Sequence, residues 1–236
     1  MRKARLLFSR DLGEYLKSKL TFCLIIFFIL SAVMLGFGMY NVAKGMDDLH
    51  SEKGYQIWTT ILGTVLIMYS FVPYIICIPA LATKPLTYEK AGAVVMSLLA
   101  TQLRPADVWR GKGWALFFPA FISSYASMGV LLIFFMQIVT LPVTVLVCCL
   151  CIMPITMLLF SMITIQLYMT KSVDLAIAPS YVAGFLIAAI FVVGAITGLY
   201  APGSIAFLLV CICIFLITFI IEKSLGFNTT VEKTIV

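Results

Sequence analysis

The sequence predicts an all-α, polytopic membrane protein with six transmembrane helices. Of its 236 residues, 63% are hydrophobic and 11% are charged, whereas soluble domains have roughly 45–50% apolar and about 25% charged residues. Six apolar stretches reach the roughly 17–25 residues that a helix needs to cross a bilayer. No Asp, Glu, Lys or Arg lies within them. Soluble enzymes, disordered proteins and disulfide-stapled secreted modules are therefore excluded.

The six predicted spans occupy most of the chain. A charged side chain at the bilayer centre costs at least about 2.5 kcal/mol, so their lack of charge is typical of lipid-embedded helices. We treat residues 1–236 as a single transmembrane domain. The spans are Leu20–Ala43, Ile57–Leu81, Trp114–Gln137, Leu141–Leu167, Ile177–Gly198 and Gly203–Ile221.

The basic residues predict the orientation. Of the 16 Lys and Arg residues, all but Lys44 and Lys53 lie before the first span, after the last, or in the second and fourth loops. Basic loops stay on the cytoplasmic side, so we expect a multi-pass protein of a prokaryotic cell membrane with both termini in the cytoplasm. The net charge of +6 is therefore an orientation signal and indicates no nucleic-acid partner.

The first 19 residues alternate apolar and charged side chains. This pattern favours an amphipathic helix on the inner membrane interface, with the lipid bilayer as its partner. The alternative is a solvated basic leader that only fixes topology. The apolar positions are Leu6, Leu7, Leu12, Tyr15 and Leu16.

The second loop, residues 82–113, is the longest connection, and long connections usually have a function. Its apolar residues recur at helical spacing, and Pro105 is suited to the first turn of a further helix that continues into the third span. We predict a helix, a break and a second helix here, and a cytoplasmic tail over residues 222–236. The apolar positions are Ala91, Val94, Val95, Leu98 and Leu99.

This loop resembles the signature of the ABC-2 type transporter permeases. In that family an acidic–basic pair, a small residue, a Leu-Leu-x-Thr element, a proline turn and a Gly-Lys dipeptide precede the third span. The motif covers about a tenth of the chain. The matching residues are Glu89-Lys90, Gly92, Leu98-Leu99-Ala100-Thr101, Arg104-Pro105 and Gly111-Lys112.

The resemblance implies a permease subunit of an exporter, paired with a second copy or a homologous permease and with separate ATPase subunits. The second loop would be the coupling helix that docks on the ATPase, and ATP and Mg would bind to that partner. The coupling residues are then Glu89, Lys90, Val94, Leu98 and Arg104.

Two features depart from the family pattern. Gln102 follows the threonine where proline is frequent, although Pro105 can still set the turn. The four residues Leu199–Pro202 between the last two spans are too few for the extracellular re-entrant segment of many members.

The sequence offers no catalytic or metal site. Ala106 and Gly113 replace the Gly and Ser/Thr that a phosphate-binding loop needs around Gly111-Lys112, so we expect no cofactor and no ATP on this chain. The cysteines lie inside apolar runs, where thiols behave as small hydrophobes, and the only histidine, His50, is distant. A copper path through Cys148, Cys149 and Cys151 is not favoured, because they do not share one helix face. A hydroxyl without a nearby base is poor enzyme chemistry.

Polar and small residues inside spans two and five are candidates for the translocation path or dimer seam. The alternative is that the hydroxyls bond to their own backbone and the glycines pack within one subunit. The candidates are Thr59, Gly63, Ser70, Tyr74, Gly194 and Gly198.

The predicted function is export of an uncharged or amphipathic substrate by alternating access, driven by the partner ATPase. The alternative is an ATP-independent six-helix channel, carrier or membrane scaffold with the same topology. The sequence does not identify the substrate.

Overall fold

The structure is a computed structural model that describes residues 2–46, 51–91, 105–170 and 204–231, together with seven residues between 182 and 193. Over these residues the chain is helical and has no strand, which confirms the all-α prediction. A π-helical turn, Cys148–Ile152, joins the fifth helix to the sixth. The helices are α1 Arg2–Lys17, α2 Lys19–Lys44, α3 Glu52–Ala91, α4 Pro105–Phe135, α5 Val143–Val147, α6 Met153–Thr170 and α7 Ile205–Val231.

Five helical stretches of the described part are long and apolar enough to cross a membrane, and they coincide with five of the six predicted spans. The predicted span Ile177–Gly198 lies mostly outside the described residues. Those of its residues that are described, such as Leu186 and Ile190, are helical. The five stretches are Lys19–Lys44, Glu52–Thr83, Asp107–Phe135, Val143–Leu167 and Ile205–Leu225.

Several helices extend beyond the predicted apolar spans. The helix α3 continues ten residues past Leu81 to Ala91, and α4 begins at Pro105, nine residues before Trp114. The predicted break between the two helices of the loop falls within residues 92–104, outside the described residues, whereas the second helix of the loop begins at Pro105 as predicted. The tail predicted from residue 222 is helical to Val231. Hydropathy indicates where lipid contact ends, but helical hydrogen bonding continues into polar sequence.

The helix α4 lies at the centre of the bundle, where it packs against α1, α2, α3 and α6. The largest fully buried side chains come from α3, α4 and α7. By contrast, α2 exposes a broad apolar face that includes Phe22, Leu30 and Met34, which is the kind of surface that a bilayer covers. The buried set is Leu62, Leu66, Ile67, Phe71, Tyr74, Leu116, Met128, Phe135 and Phe207.

The helices α6 and α7 run in the same direction. Near their carboxyl ends, Gln166 Nε2 donates a hydrogen bond to Glu222 Oε1 at 3.2 Å. Further back along the chain, the π-helical turn that precedes α6 packs against α7, with Cys148 beside Cys211. Two contacts in the same order along both segments require a parallel arrangement.

Candidate functional site around α4

The first part of the candidate site is the joint between α1 and the amino-terminal end of α4. Lys112 Nζ lies 3.0 Å from Asp11 Oδ2, and the two side chains are only 4% and 7% exposed. Arg10 holds the other carboxylate oxygen at 2.8 Å. A buried charge is tolerated only when it is paired, so this ion pair fixes α1 to α4. We name Asp11 and Lys112 the α1–α4 joint.

Two further contacts hold α1 in place. The hydroxyl of Thr21 in α2 donates to the carbonyl of Tyr15 at 2.6 Å, which fixes the elbow where α1 ends and α2 begins. The rings of Phe8 and Phe118 lie 5.6 Å apart. The predicted amphipathic helix over residues 1–19 is therefore a helix, but its inner face packs on α4 and carries a buried carboxylate. Hydrophobic alternation alone did not indicate that contact.

Glycines bring α4 close to two neighbouring helices. A Cβ on Gly36 of α2 would lie 2.5 Å from Phe134 Cδ2. A Cβ on Gly113 of α4 would lie 3.0 Å from Met162 Cγ and 3.3 Å from its Cα. Beside this second contact, Ser161 Oγ donates to the Gly113 carbonyl at 2.9 Å. The Gly111-Lys112-Gly113 stretch thus joins α4 to α1 through the lysine and to α6 through the glycine.

The second part of the site is a row of hydroxyls halfway along α4. Ser124 Oγ donates to the carbonyls of Tyr69 at 3.1 Å and Ser70 at 3.0 Å, both in α3. Tyr125 OH donates to the carbonyl of Leu150 in the π-helical turn at 2.7 Å. Ser127 bonds only within its own helix, to the carbonyls of Ser123 and Ser124. We name Ser124 and Tyr125 the α4 hydroxyl pair.

The two ends of the bundle differ in chemistry. The end with the α1–α4 joint also contains the buried Glu222, which accepts a hydrogen bond from Gln166. At the opposite end Tyr55 OH accepts a hydrogen bond from the Thr140 amide at 3.0 Å and is also hydrogen bonded to the Thr140 hydroxyl. Tyr55 therefore connects the start of α3 to the turn between α4 and α5.

The predicted path residues in α3 do not form one open face. Ser70 and Tyr74 are buried within the chain, 1% and 0% exposed, and Gly63 is buried as well. Thr59 is half-buried and donates to the carbonyl of Tyr55. Ser70 likewise donates to the Ile67 carbonyl of its own helix. The hydroxyls of Thr59 and Ser70 thus bond to their own helix, and the role of these residues in a path or dimer seam stays a prediction.

Other predicted site residues lie at or beyond the limits of the described chain. The backbone of Glu89 and Lys90 belongs to the last turn of α3. Val94, Leu98, Arg104, Gly194 and Gly198 lie outside the described residues.

The polar contacts of the site join helices to one another. Within the described part of the chain, no group of three or more His, Cys, Asp or Glu side chains could hold a metal ion. The buried polar groups along the middle of α4 are the hydroxyls of Ser123, Ser124 and Ser127. Of these three, Ser124 bonds to a neighbouring helix, and hydroxyls in that position orient helices.

Sequence reasoning missed the α1–α4 joint and the α4 hydroxyl pair. The sequence does contain a signal for the α4 hydroxyl pair. The apolar third span is interrupted by three serines, and the first and last of them are four residues apart, about one helical turn: Ser123, Ser124 and Ser127. For the joint, the individual charges were noted only as topology signals.

No protein-family model, curated protein or solved structure matches this chain.

Proposed function

We propose that the chain is the permease subunit of an ABC-2 type transporter that exports an uncharged or amphipathic substrate. Its partners would be a second permease copy or a homologous permease and two ATPase subunits, which bind ATP and Mg. The motif from Glu89 to Lys112 suggests the family, and the arrangement of α4 carries the mechanical part of the proposal.

The supporting observation is the rigid connection of α4 to its surroundings. The helix starts at Pro105, inside the motif, and runs to Phe135. Its first turns are tied to α1 by Lys112 and to α6 by Gly113. A displacement of the motif segment by an ATPase would therefore move α4, α1 and α6 together, as a rigid-body step of alternating access requires.

The parallel helices α6 and α7 support the six-span topology. Two parallel spans that follow one another need a crossing between them, which the predicted span Ile177–Gly198 would supply. With that crossing, both termini lie on one side, which the basic residues assign to the cytoplasm of a cell membrane. Labelling of introduced cysteines in intact cells with a membrane-impermeant reagent tests this orientation. We expect cysteines at Thr140 and Pro202 to be labelled and a cysteine at Ser9 to remain unlabelled. Labelling at Ser9 would refute the orientation.

The test is purification of the tagged full-length chain from its native membrane in mild detergent. We expect a nucleotide-binding ATPase subunit to co-purify. The substitutions Leu98→Glu and Glu89→Lys are expected to reduce its recovery at least about tenfold, as the loss of about 1.4 kcal/mol of binding free energy would, while the thermal unfolding of the permease stays unchanged.

Glu14→Lys is the matched control, since Glu14 is an exposed acidic residue of α1 outside the motif. If no nucleotide-binding subunit co-purifies with the unmodified chain, the ATP-independent channel, carrier or scaffold replaces this proposal. An ATPase whose recovery is insensitive to Leu98→Glu and Glu89→Lys would contradict the assignment of the coupling segment.

A further inference from the structure

Among the prolines of the helices that pack on α4, two lie opposite the α4 hydroxyl pair. Pro73 lies in α3 and Pro154 in α6, and both are buried. Proline has no N–H, so the carbonyl four residues earlier in an α-helix loses its donor. These carbonyls belong to Tyr69 in α3 and to Leu150 before α6.

The α4 hydroxyl pair supplies a donor to each of these carbonyls. Ser124 Oγ lies 3.1 Å from the carbonyl oxygen of Tyr69, and Tyr125 OH lies 2.7 Å from that of Leu150. Buried carbonyls without a donor are costly. Two adjacent side chains of one helix thus replace two missing backbone donors in two neighbouring segments.

The π-helical turn adds a second carbonyl at Pro154. There the backbone bonds span five residues, and the Met153 amide donates to Cys148. The next bond in this register would run from residue 154 to Cys149, but Pro154 cannot donate. Tyr125 OH lies 3.5 Å from the Cys149 carbonyl oxygen, so the phenol faces the carbonyl that Pro154 leaves without a donor in the π register and also the Leu150 carbonyl that it would leave in the α register.

We propose that Ser124 and Tyr125 form a clasp that controls bending of α3 at Pro73 and of the α5–α6 segment at Pro154. Helices bend at prolines and at π-helical turns, and such turns are frequent at functional sites. When the hydroxyls donate, the bent segments are held on α4. When the hydroxyls rotate away, both segments change their bend, and since the hydroxyls are adjacent on one helix, the two hinges are linked. All of these contacts lie within one chain, so the clasp is independent of the cargo and of any ATPase.

A double-mutant cycle on Tyr125 and Pro154 tests the clasp in the full-length chain in nanodiscs. Tyr125→Phe removes the donor and is expected to accelerate amide hydrogen exchange over residues 151–156 about fivefold. Pro154→Ala restores one backbone N–H, which can donate to Cys149 in the π register or to Leu150 in the α register. In that background Tyr125→Phe should change the exchange rate less than about twofold.

Tyr69→Phe is the matched control, because the Tyr69 hydroxyl donates to Ser31 and touches no carbonyl freed by proline. Equal acceleration by Tyr125→Phe in both backgrounds, or by Tyr69→Phe over the same residues, would overturn the clasp. If Pro154→Ala does not fold, two serine variants provide the test. Ser124→Ala should accelerate amide hydrogen exchange over residues 70–76, and Ser127→Ala should not. Equal effects of the two variants would contradict the proposal.

Bending itself needs a readout that loss of stability alone does not change. Genetically encoded spin labels at the exposed positions Ile133 in α4 and Val143 in α5 avoid the native cysteines. Tyr125→Phe is expected to broaden or shift the distance distribution between them, whereas Tyr69→Phe should leave it as in the unmodified chain. An unchanged distribution in Tyr125→Phe would refute control of the bend by this hydroxyl.

Discussion

Asp11 and Lys112 are 101 residues apart in the chain, yet their side chains form a buried ion pair with 3.0 Å between Oδ2 and Nζ. Removing two charges from water costs several kcal/mol per ion, and only mutual attraction and hydrogen bonds offset that cost. Either charge alone in the same place is strongly unfavourable. The position of α1 on the bundle therefore depends on both residues.

Removal of one charge of the α1–α4 joint should destabilise the protein. We expect Asp11→Leu to lower the free energy of unfolding by about 3 kcal/mol, because it removes the carboxylate that pairs with the buried Lys112, and Lys112→Met to lower it by less, because Arg10 still pairs with Asp11. The double substitution should be much less destabilised than the sum of the two, since no charge then remains unpaired. Thermal unfolding in detergent, followed by tryptophan fluorescence, measures these differences.

Glu14→Leu provides the comparison on the same helix, because Glu14 is exposed. It should leave the unfolding temperature nearly unchanged. Trypsin should also cleave near Arg10 and Lys17 faster in the two joint variants. Strictly additive losses for Asp11→Leu and Lys112→Met would show that the pair contributes no coupling.

Close packing of α2 on α4 predicts a steric effect at Gly36. A methyl group there would lie 2.5 Å from the Phe134 ring, and such overpacking typically costs about 1–3 kcal/mol. Gly38, two residues later in α2, has nothing within 4 Å of its would-be Cβ. Gly36→Ala should therefore lower the unfolding temperature and Gly38→Ala should not. Equal unfolding temperatures for the two variants would contradict this contact.

The approach of α4 to α6 predicts the same contrast at Gly113. Its would-be Cβ meets both the side chain and the Cα of Met162, so rotation of the methionine alone cannot relieve the clash. We expect Gly113→Ala to cost about 1–3 kcal/mol of unfolding free energy. Gly129→Ala in the same helix, with nothing within 4 Å, is the control. If Gly113→Ala unfolds at the same temperature as Gly129→Ala, the close approach of α4 to the Met162 backbone is refuted.

The membrane-spanning part of the fold was predictable because hydropathy is a local property. The ends of Leu20–Ala43 and Leu141–Leu167 agree within two residues with helical stretches of the structure. The second loop was less predictable, because α3 continues past Leu81 into polar sequence where hydropathy no longer follows the helix. Pro105 did predict the start of α4, since the missing N–H of proline is no loss in a first helical turn.

The contacts between helices could not be predicted in the same way. Lys112 was counted as one more basic residue of a cytoplasmic loop, because nothing near it in sequence indicates a partner in α1. Ser70 and Tyr74 share a helical face, but the sequence does not say whether α4 or a second subunit covers it. In the structure α4 covers that face through Ser124 and Phe117. Only the three-dimensional arrangement pairs residues that are so far apart.

The hydrogen bond between Gln166 and Glu222 should stabilise the parallel arrangement of α6 and α7. Both residues are buried, 0% and 5% exposed, and the donor–acceptor distance is 3.2 Å. Gln166→Leu removes a donor from a buried carboxylate and is expected to cost about 1–3 kcal/mol of unfolding free energy. Glu222→Gln keeps an acceptor at the same place, so its effect should be smaller. Lys223→Ala, at a side chain that is 59% exposed, should change little, and thermal unfolding in detergent ranks the three variants. A loss in Lys223→Ala as large as that in Gln166→Leu would indicate that the exposed charge, and not the buried hydrogen bond, holds the two helices together.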